Sequence, residues 1–447
     1  MRSVFKEQAV AGLSTVPAPL AASPGKRAWQ EFTLRKLFDS ALAAVDPLLI
    51  VPGFLPARPR GRTVVVGAGK AAARMALALE QHWDGPLEGL VITRYGHSEP
   101  CQRIRVVEAG HPIPDSAGTA ATQAILRSVQ GLGPDDLVVA LISGGGSSLL
   151  SAPMPGITLD DKQRLTHSLL ESGATISEIN CVRKHLSSIK GGRLGLACGL
   201  ARVHTLVLSD VPGDDPHTVA SSPTLPVNSR PEDAMAVLER HRIVLLPQIR
   251  HALESAALAP TAIPVGPRSF DVIATAQLAL DSAAAKAASL GITPLILGNA
   301  IEGEARHIGS MQAGIARQIA TQGQPVGAPA VLLSGGETTV TVRGNGRGGR
   351  NAEYLLAHLL ACRNMPHIWG LAADTDGIDG SETNAGAVFG PDSLARAQAL
   401  DMEPEKYLAN NDGFSFFEAL GNLVHTGPTR TNVNDFRATL IIVPGQL

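Results

Sequence analysis

Two rhythms of apolar residues alternate along the chain. Residues 137–142 (LVVALI) are continuously apolar, as a strand buried on both faces of a parallel sheet requires. Ser-Gly-Gly-Gly-Ser-Ser follows at 143–148, and three successive glycines carry a conformational cost that only a need for bare backbone explains. Upstream, Phe32, Leu34, Leu37, Phe38, Leu42 and Val45 recur at helical spacing over 31–45. TVVVG (63–67) opens into the helical stretch KAAARMALALEQH. GLVIT (89–93) and RIRVVEAG (103–110) read as strands, 119–130 as a helix and HTLVLSD (204–210) as a further strand. Strands alternating with helices predict an α/β fold with a largely parallel sheet covered on both faces.

A second series starts near Ser269. FDVIA, an alanine-rich helix over 276–290 and TPLILG form a β-α-β pattern, followed by a helix over 304–322, PAVLLSGGETTVTV, a helix over 352–362, IWGLAADTDGIDG and a closing strand TLIIV (439–443). The helical, proline-punctuated stretch 230–267 marks the boundary. The reading is a leader over 1–28, a Rossmann-like domain over 29–250 and a second α/β domain over 266–447. Ser334-Gly-Gly-Glu-Thr-Thr echoes Ser143-Gly-Gly-Gly-Ser-Ser, with Glu337 standing where Gly146 stands. Two parallel sheets, each with a polar loop at a strand's carboxyl end, would enclose a site in the cleft between the domains.

Composition narrows the function classes. With 44% hydrophobic and 17% charged residues the chain can bury a large core, and a net charge of −2 offers no global field for nucleic acid or anionic membrane. Aromatic residues at 4% leave little for stacking single strands. The four cysteines form no CxxC and read as reduced thiols of a cytoplasmic protein. The leader is too interrupted by Ser14, Thr15, Pro17 and Pro19 for a secretory signal, and no segment has the apolar length of a membrane span. Oligomeric state is left open.

The chemistry gathers in the loops. VVVGAGKAAARMA is not a Walker A loop, because its first glycine is absent and Ala71 stands where a hydroxyl is needed. It does fit GxGxxA through Gly67, Gly69 and Ala72, but the second strand ends in Thr93 and Arg94 instead of the acid that holds a ribose, leaving NADP open and disfavouring NAD. Lys70 sits where a cation avoids the helix N-terminus unless an anion joins it. Gly144, Gly145, Gly146, Ser147 and Ser148 offer consecutive amides and hydroxyls suited to a phosphate. There is no GxSxG, so no serine nucleophile is read. RGNGRGGRNAEYLLA (343–357) is a basic glycine loop in which Arg350, nearest the helix, could grip an oxyanion with two parallel bonds. Asp210, Glu337 and Asp376 are candidates for the metal side, since Mg2+ on nucleotide phosphates needs only one or two carboxylates. Asp374, Asp376 and Asp379 do not have EF-hand spacing.

LISGGGSSLL, NCVRKHLSSIKGGRL (180–194), LVLSDVPGDDPHTVASSPT (206–224), LLSGGETTVTVRGNGRGGRNAE and AADTDGIDG together resemble the glycerate 2-kinase family, from about Trp29 to the C-terminus. The resemblance implies an N-terminal Rossmann-like glycerate kinase domain, a C-terminal MOFRL domain, and Mg2+-dependent transfer of phosphate from ATP to D-glycerate, giving 2-phosphoglycerate. The family's glycine-flanked lysine and the arginine of its basic glycine loop match Lys70 and Arg350. On this reading Gly144–Ser148 takes nucleotide phosphates, Lys70 the transferring phosphoryl group, and Arg350 substrate or transition-state charge. The alternatives are an NADP-linked hydroxypyruvate reductase, the name many members carry, and a non-catalytic sugar-phosphate sensor binding through Ser147 and Ser148.

Overall fold

The computed structural model describes residues 26–226, 229–257, 265–363 and 365–443, so most of the leader lies outside the described residues. Six strands, β1 (Thr63–Ala68), β2 (Glu88–Arg94), β3 (Ile104–Ala109), β4 (Leu137–Ser143), β5 (Arg202–Leu208) and β6 (Arg268–Ala274), form one sheet in the order β3-β2-β1-β4-β5-β6. All five pairings are parallel. The apolar runs explain the placement: every residue of β1 and β4 is buried, whereas edge strand β3 buries only its two ends. Strand order reverses between β1 and β4, which pair from Thr63↔Leu137 to Ala68↔Ile142. In open α/β sheets the crevice beyond such a reversal is where ligands bind. The loops emerging there are Gly69–Ala71 and Gly144–Gly146.

The second sheet contains β7 (Thr293–Gly298), β9 (Ala330–Gly336), β11 (Ile368–Asp374), β12 (Gly386–Phe389), β13 (Leu423–Val424) and β14 (Asp435–Ile441), while β8 (Gly303–Glu304) pairs with β10 (Thr338–Thr339) apart from it. Its order is β13-β12-β11-β14-β9-β7. Only β7 and β9 run parallel; β9–β14, β14–β11, β11–β12 and β12–β13 are antiparallel. The parallel second sheet read from the sequence is therefore corrected to a mixed one. Burial hid the difference, because every residue of β9, β11 and β14 is buried whichever way its neighbour runs.

The division between the units also differs from the sequence boundary. FDVIA lies in β6, which extends the first sheet beside β5, although the sequence pattern places it in the second domain. The first helix, Lys26–Ala44, packs the other way. Phe38 meets Phe436 of β14 with ring centroids 5.4 Å apart, and Ser40 Oγ lies 2.9 Å from Ser282 Oγ on the helix Ala276–Ser289. Leu34, Leu37, Phe38 and Ala41 thereby join a core that runs from Val65 and Val139 of the first sheet to Val331 and Leu440 of the second. Amphipathic spacing shows which face is buried, not which sheet buries it. Four helices, Leu159–Glu171, Ile176–His185, Pro231–Arg240 and Pro247–Ala257, build a separate core from Leu165, Leu169, Val182, Leu238 and Leu253. This helical cap stands beside the Gly144–Gly146 loop. Among the described residues no single helix is long and apolar enough to cross a membrane, and all four cysteines are free.

Candidate active site

At the end of β1 the chain turns through Gly69, Lys70 and Ala71 into the helix Ala72–His82. Lys70 reaches across to the second unit, where its Nζ donates to Asp376 Oδ2 at 2.6 Å. Burial works against the ammonium, but Asp376 and Asp374 outweigh it and raise its proton affinity. The anion needed to hold a lysine at this helix start is thus supplied by the DTD turn after β11. Asp376, also penalised by burial, is held below the usual carboxylate range chiefly by Lys70, whereas Asp374 is pushed well above it by burial and by Asp376. One negative charge is favoured over two.

Arg350 opens the helix Arg350–Ala361, and all three of its nitrogens end on carboxylates. Nε donates to Asp435 at 2.8 Å, Nη2 to Asp374 at 2.8 Å and Nη1 to Glu337 at 3.2 Å. Burial opposes its charge, but these acids raise its pKa further above the ordinary guanidinium value. As bonded here, Arg350 gathers acids at the cleft. Arg343 lies further out in the loop, its backbone N–H bonded to Asn411.

The Gly144–Gly146 loop is fitted tightly. A Cβ at Gly144 would strike the Asp210 carboxylate and the Asn432 amide, and one at Gly146 would come 2.7 Å from Ala220 Cβ. Gly145 has φ +78°, a left-handed conformation natural to glycine, and a Cβ there would lie 2.9 Å from His111 Nε2. Among the described residues the amides of Gly145, Gly146 and Ser147 have no acceptor. In contrast the amides of Gly69, Lys70 and Ala71 are consumed by Ile92 O, Gly144 O and Ser143 Oγ at 3.1, 2.8 and 3.1 Å. Ser148 Oγ turns back to Gly145 O at 3.0 Å, while Ser147 Oγ faces Ser221 and Arg183.

Asp210, beyond β5, receives Asn432 Nδ2 at 3.0 Å and is raised to about 6, first by burial and then by the charge of Glu337, with Lys70 opposing. A small cavity lined by Asp210, Asp214, Asn299, Gly336 and Asn434 opens between the two units. A larger cleft of about 740 Å3, lined by Val64, Glu88, Leu90 and Ile104, lies at the amino ends of β1–β3, the opposite end from the switch point. The geometry of the switch point, not cavity size, selects the site.

The chain is similar to known proteins over most of its length. Residues 33–254 match a family described as a domain of unknown function (DUF4147), and residues 330–435 match the MOFRL family. A D-glycerate 2-kinase of Thermotoga maritima is 38% identical over 91% of this chain and 97% of its own length. The chain belongs to the two-domain glycerate 2-kinase family. A glycerate kinase crystal structure from Thermotoga maritima superimposes with a TM-score of 0.85 at 37% identity, covering 93% of this chain and all of that one. An Agrobacterium vitis relative, 52% identical over 91% of this chain and 94% of its own length, has a name that provisionally makes it a hydroxypyruvate reductase. A human glycerate kinase is 34% identical over 90% of this chain and 91% of its own length.

The structure brings Lys70, Asp376, Asp210, Glu337, Arg350 and Gly144–Ser148 to one cleft. Sequence reasoning left out of the site Asp435, Asn432, His97 and His111. His97 and His111 face Lys70 and Arg94; burial first, then those cations, lowers each to about 4. Asp435 carried the weakest signal, an isolated acid at the start of a strand that also holds Arg437 and Thr439. Among the described residues no group of three or more His, Cys, Asp or Glu side chains is arranged to hold a metal ion alone.

Proposed function

We propose that the protein is an ATP-dependent glycerate 2-kinase that phosphorylates the 2-hydroxyl of D-glycerate. The observation that carries this reading is the contrast between the two glycine loops. The unengaged amides of Gly145, Gly146 and Ser147 point to phosphate binding beside Lys70. The amides a dinucleotide pyrophosphate needs at the first βα turn are already bonded within the chain, which counts against an NADP-linked reductase.

Phosphoryl transfer draws mainly on positioning and charge stabilisation. The Gly145–Ser147 amides would orient the nucleotide phosphates. Lys70, kept protonated by Asp376, would meet charge developing on the transferring phosphoryl group. Arg350 would keep Asp374, Asp435 and Glu337 in place, so its role moves from gripping substrate to positioning acids.

Of the metal-side candidates, Asp210 and Glu337 suit Mg2+. They repel each other enough to help raise the Asp210 pKa, a repulsion a divalent cation relieves. Asp376 is less suitable, since its Oδ2 is taken by Lys70 and its Oδ1 by the Ile378 amide at 2.8 Å. Mg2+ would supply neutralisation of the phosphate oxygens. Parallel assays of D-glycerate with ATP-Mg and hydroxypyruvate with NADPH test the proposal. ADP release dependent on D-glycerate supports it, and NADPH oxidation without phosphorylation overturns it.

A further inference from the structure

Next to the Gly144–Gly146 loop, reached through Ser147, lies a group of cations without anions. Lys162 projects from the helix Leu159–Glu171 and Arg183 from the helix Ile176–His185, while Lys190 lies just beyond. Lys70, Arg74, Arg306, Arg350 and Arg437 all have carboxylate partners. Among the described residues Lys162, Arg183 and Lys190 have none within 4 Å, nor has Arg193, which is satisfied by the carbonyls of Lys184 and Lys190. Lys190 is only 3% exposed, and its ammonium has a single acceptor, Leu150 O at 2.9 Å. Arg183 donates through Nη2 alone, to Ser147 Oγ at 3.2 Å.

Burial lowers the proton affinity of neighbouring Lys184 too, but Asp215 opposes that shift and its Nζ bonds His217 O. The charges of the other three act against one another. Burial and then Arg183 lower Lys162 to about 8, and burial, Lys162 and Arg183 lower Lys190 well below an ordinary lysine. Stacking like charges in a poorly solvated place is costly unless an anion joins them.

Donors point the same way. Ser147 Oγ and Ser221 Oγ lie 2.8 Å apart. A single bond between two hydroxyls uses one O–H, so the pair has a second O–H to offer. Ser221 is presented by backbone that L-residues seldom adopt: Ala220, Ser221 and Ser222 have successive φ values of 50°, 61° and 52°. The amides of Gly191 and Gly192 hold it there by bonding Ser221 O at 3.1 Å and Ser222 O at 2.7 Å. Such strain persists where the surrounding structure enforces it, and it concentrates at functional sites.

We infer that Lys162, Arg183 and Lys190, with Ser147 and Ser221, form a second anion subsite that takes a terminal oxyanion of a substrate, a phosphate or a carboxylate. It shares only Ser147 with the loop facing Lys70. Binding of the oxyanion stands on this cluster alone; its part in turnover rests on the kinase reading.

Inorganic phosphate is the direct probe, read as a rise in melting temperature with concentration. The wild-type chain shows a saturable rise, and Arg183→Met and Lys162→Met each weaken the apparent affinity at least tenfold. In phosphate-free buffer both variants melt at or above the wild-type temperature, because a repulsive charge has gone. That result separates loss of a ligand group from misfolding. Arg183→Lys restores part of the response.

Steady-state kinetics then identifies the source. A KM for ATP raised tenfold with the glycerate KM unchanged assigns a nucleotide phosphate, and the converse assigns the substrate carboxylate. A chain that responds to phosphate through Arg183 but turns over no glycerate leaves the subsite standing and removes the kinase reading. Folded variants with wild-type phosphate response and both KM values within twofold of wild type overturn the inference.

Discussion

Replacing Gly144 with alanine tests whether the loop's first glycine exists to place Asp210. No left-handed φ is demanded at this residue, so the backbone tolerates alanine and only the added carbon matters. That Cβ would stand 1.8 Å from Asp210 Oδ2 and 2.4 Å from Asn432 Nδ2, far inside van der Waals contact. The carboxylate must swing away, and the 3.0 Å bond from Asn432 breaks with it. A hydrogen bond to a charged group contributes about 1.5–3 kcal/mol, which corresponds to roughly 10- to 150-fold if it is needed in the transition state. The assay is ADP release from ATP with D-glycerate, with folding followed by thermal melting. Gly53→Ala is the control, since nothing lies within 4 Å of a Cβ there. The Gly144 variant is expected to lose at least tenfold in kcat/KM while remaining folded. Wild-type kcat/KM in Gly144→Ala would show that Asp210 placement does not matter and refute the reasoning.

Other perturbations separate the remaining roles. Lys70→Met leaves Asp376, whose side chain is 2% exposed, with only Arg94 at 4.0 Å as a cation; breaking such a buried pair costs on the order of 3 kcal/mol, so a lowered melting temperature should accompany lost turnover. Arg350→Lys cannot reach Asp374, Asp435 and Glu337 together, so kcat should fall about 10²-fold with a marked loss of stability, whereas Arg343→Lys should change neither; a stable, fully active Arg350→Lys would remove the positioning role. His358, buried between Tyr354 and Phe389, is lowered by burial to about 3. The unfolded chain takes up that proton first, near pH 6.5, so the stability this site contributes is complete above about 6.5 and is lost as pH falls toward 3, at about 1.4 kcal/mol per pH unit. His358→Phe should flatten the decline in melting temperature between pH 6 and 4, and an unchanged profile would exclude His358 as a source of acid sensitivity.

The first sheet was legible because β1 and β4 are nearly continuous apolar runs and β5 closes on the apolar Leu206–Leu208, each ending in glycine or a polar loop, a pattern that a short strand shows when both of its faces are covered. Strand direction in the second sheet was not legible, since burial on both faces is indifferent to whether β14 runs with or against β9. Nor could spacing show that Lys26–Ala44 packs on β14 or that β6 joins β5, because an apolar stripe does not name its partner. In the site, Lys70 was visible as a cation in an unfavourable place whose counter-ion had to come from elsewhere. Arg350 was visible as a guanidinium after a glycine loop, but its three acids lie 13, 24 and 85 positions away in sequence and only the fold assembles them. The cations of the cap escaped notice because Lys162, Arg183 and Lys190 become a cluster only when two helices meet.

The most direct test of phosphoryl transfer at the Lys70–Asp210 cleft is the structure of the product formed from D-glycerate and ATP-Mg. Phosphorus NMR with proton coupling distinguishes the two hydroxyls, because C2 carries one hydrogen and C3 carries two. The predicted product gives a phosphorus signal split by the single C2 proton. A signal split by two methylene protons, or no phosphorylated glycerate at all, would contradict a 2-kinase.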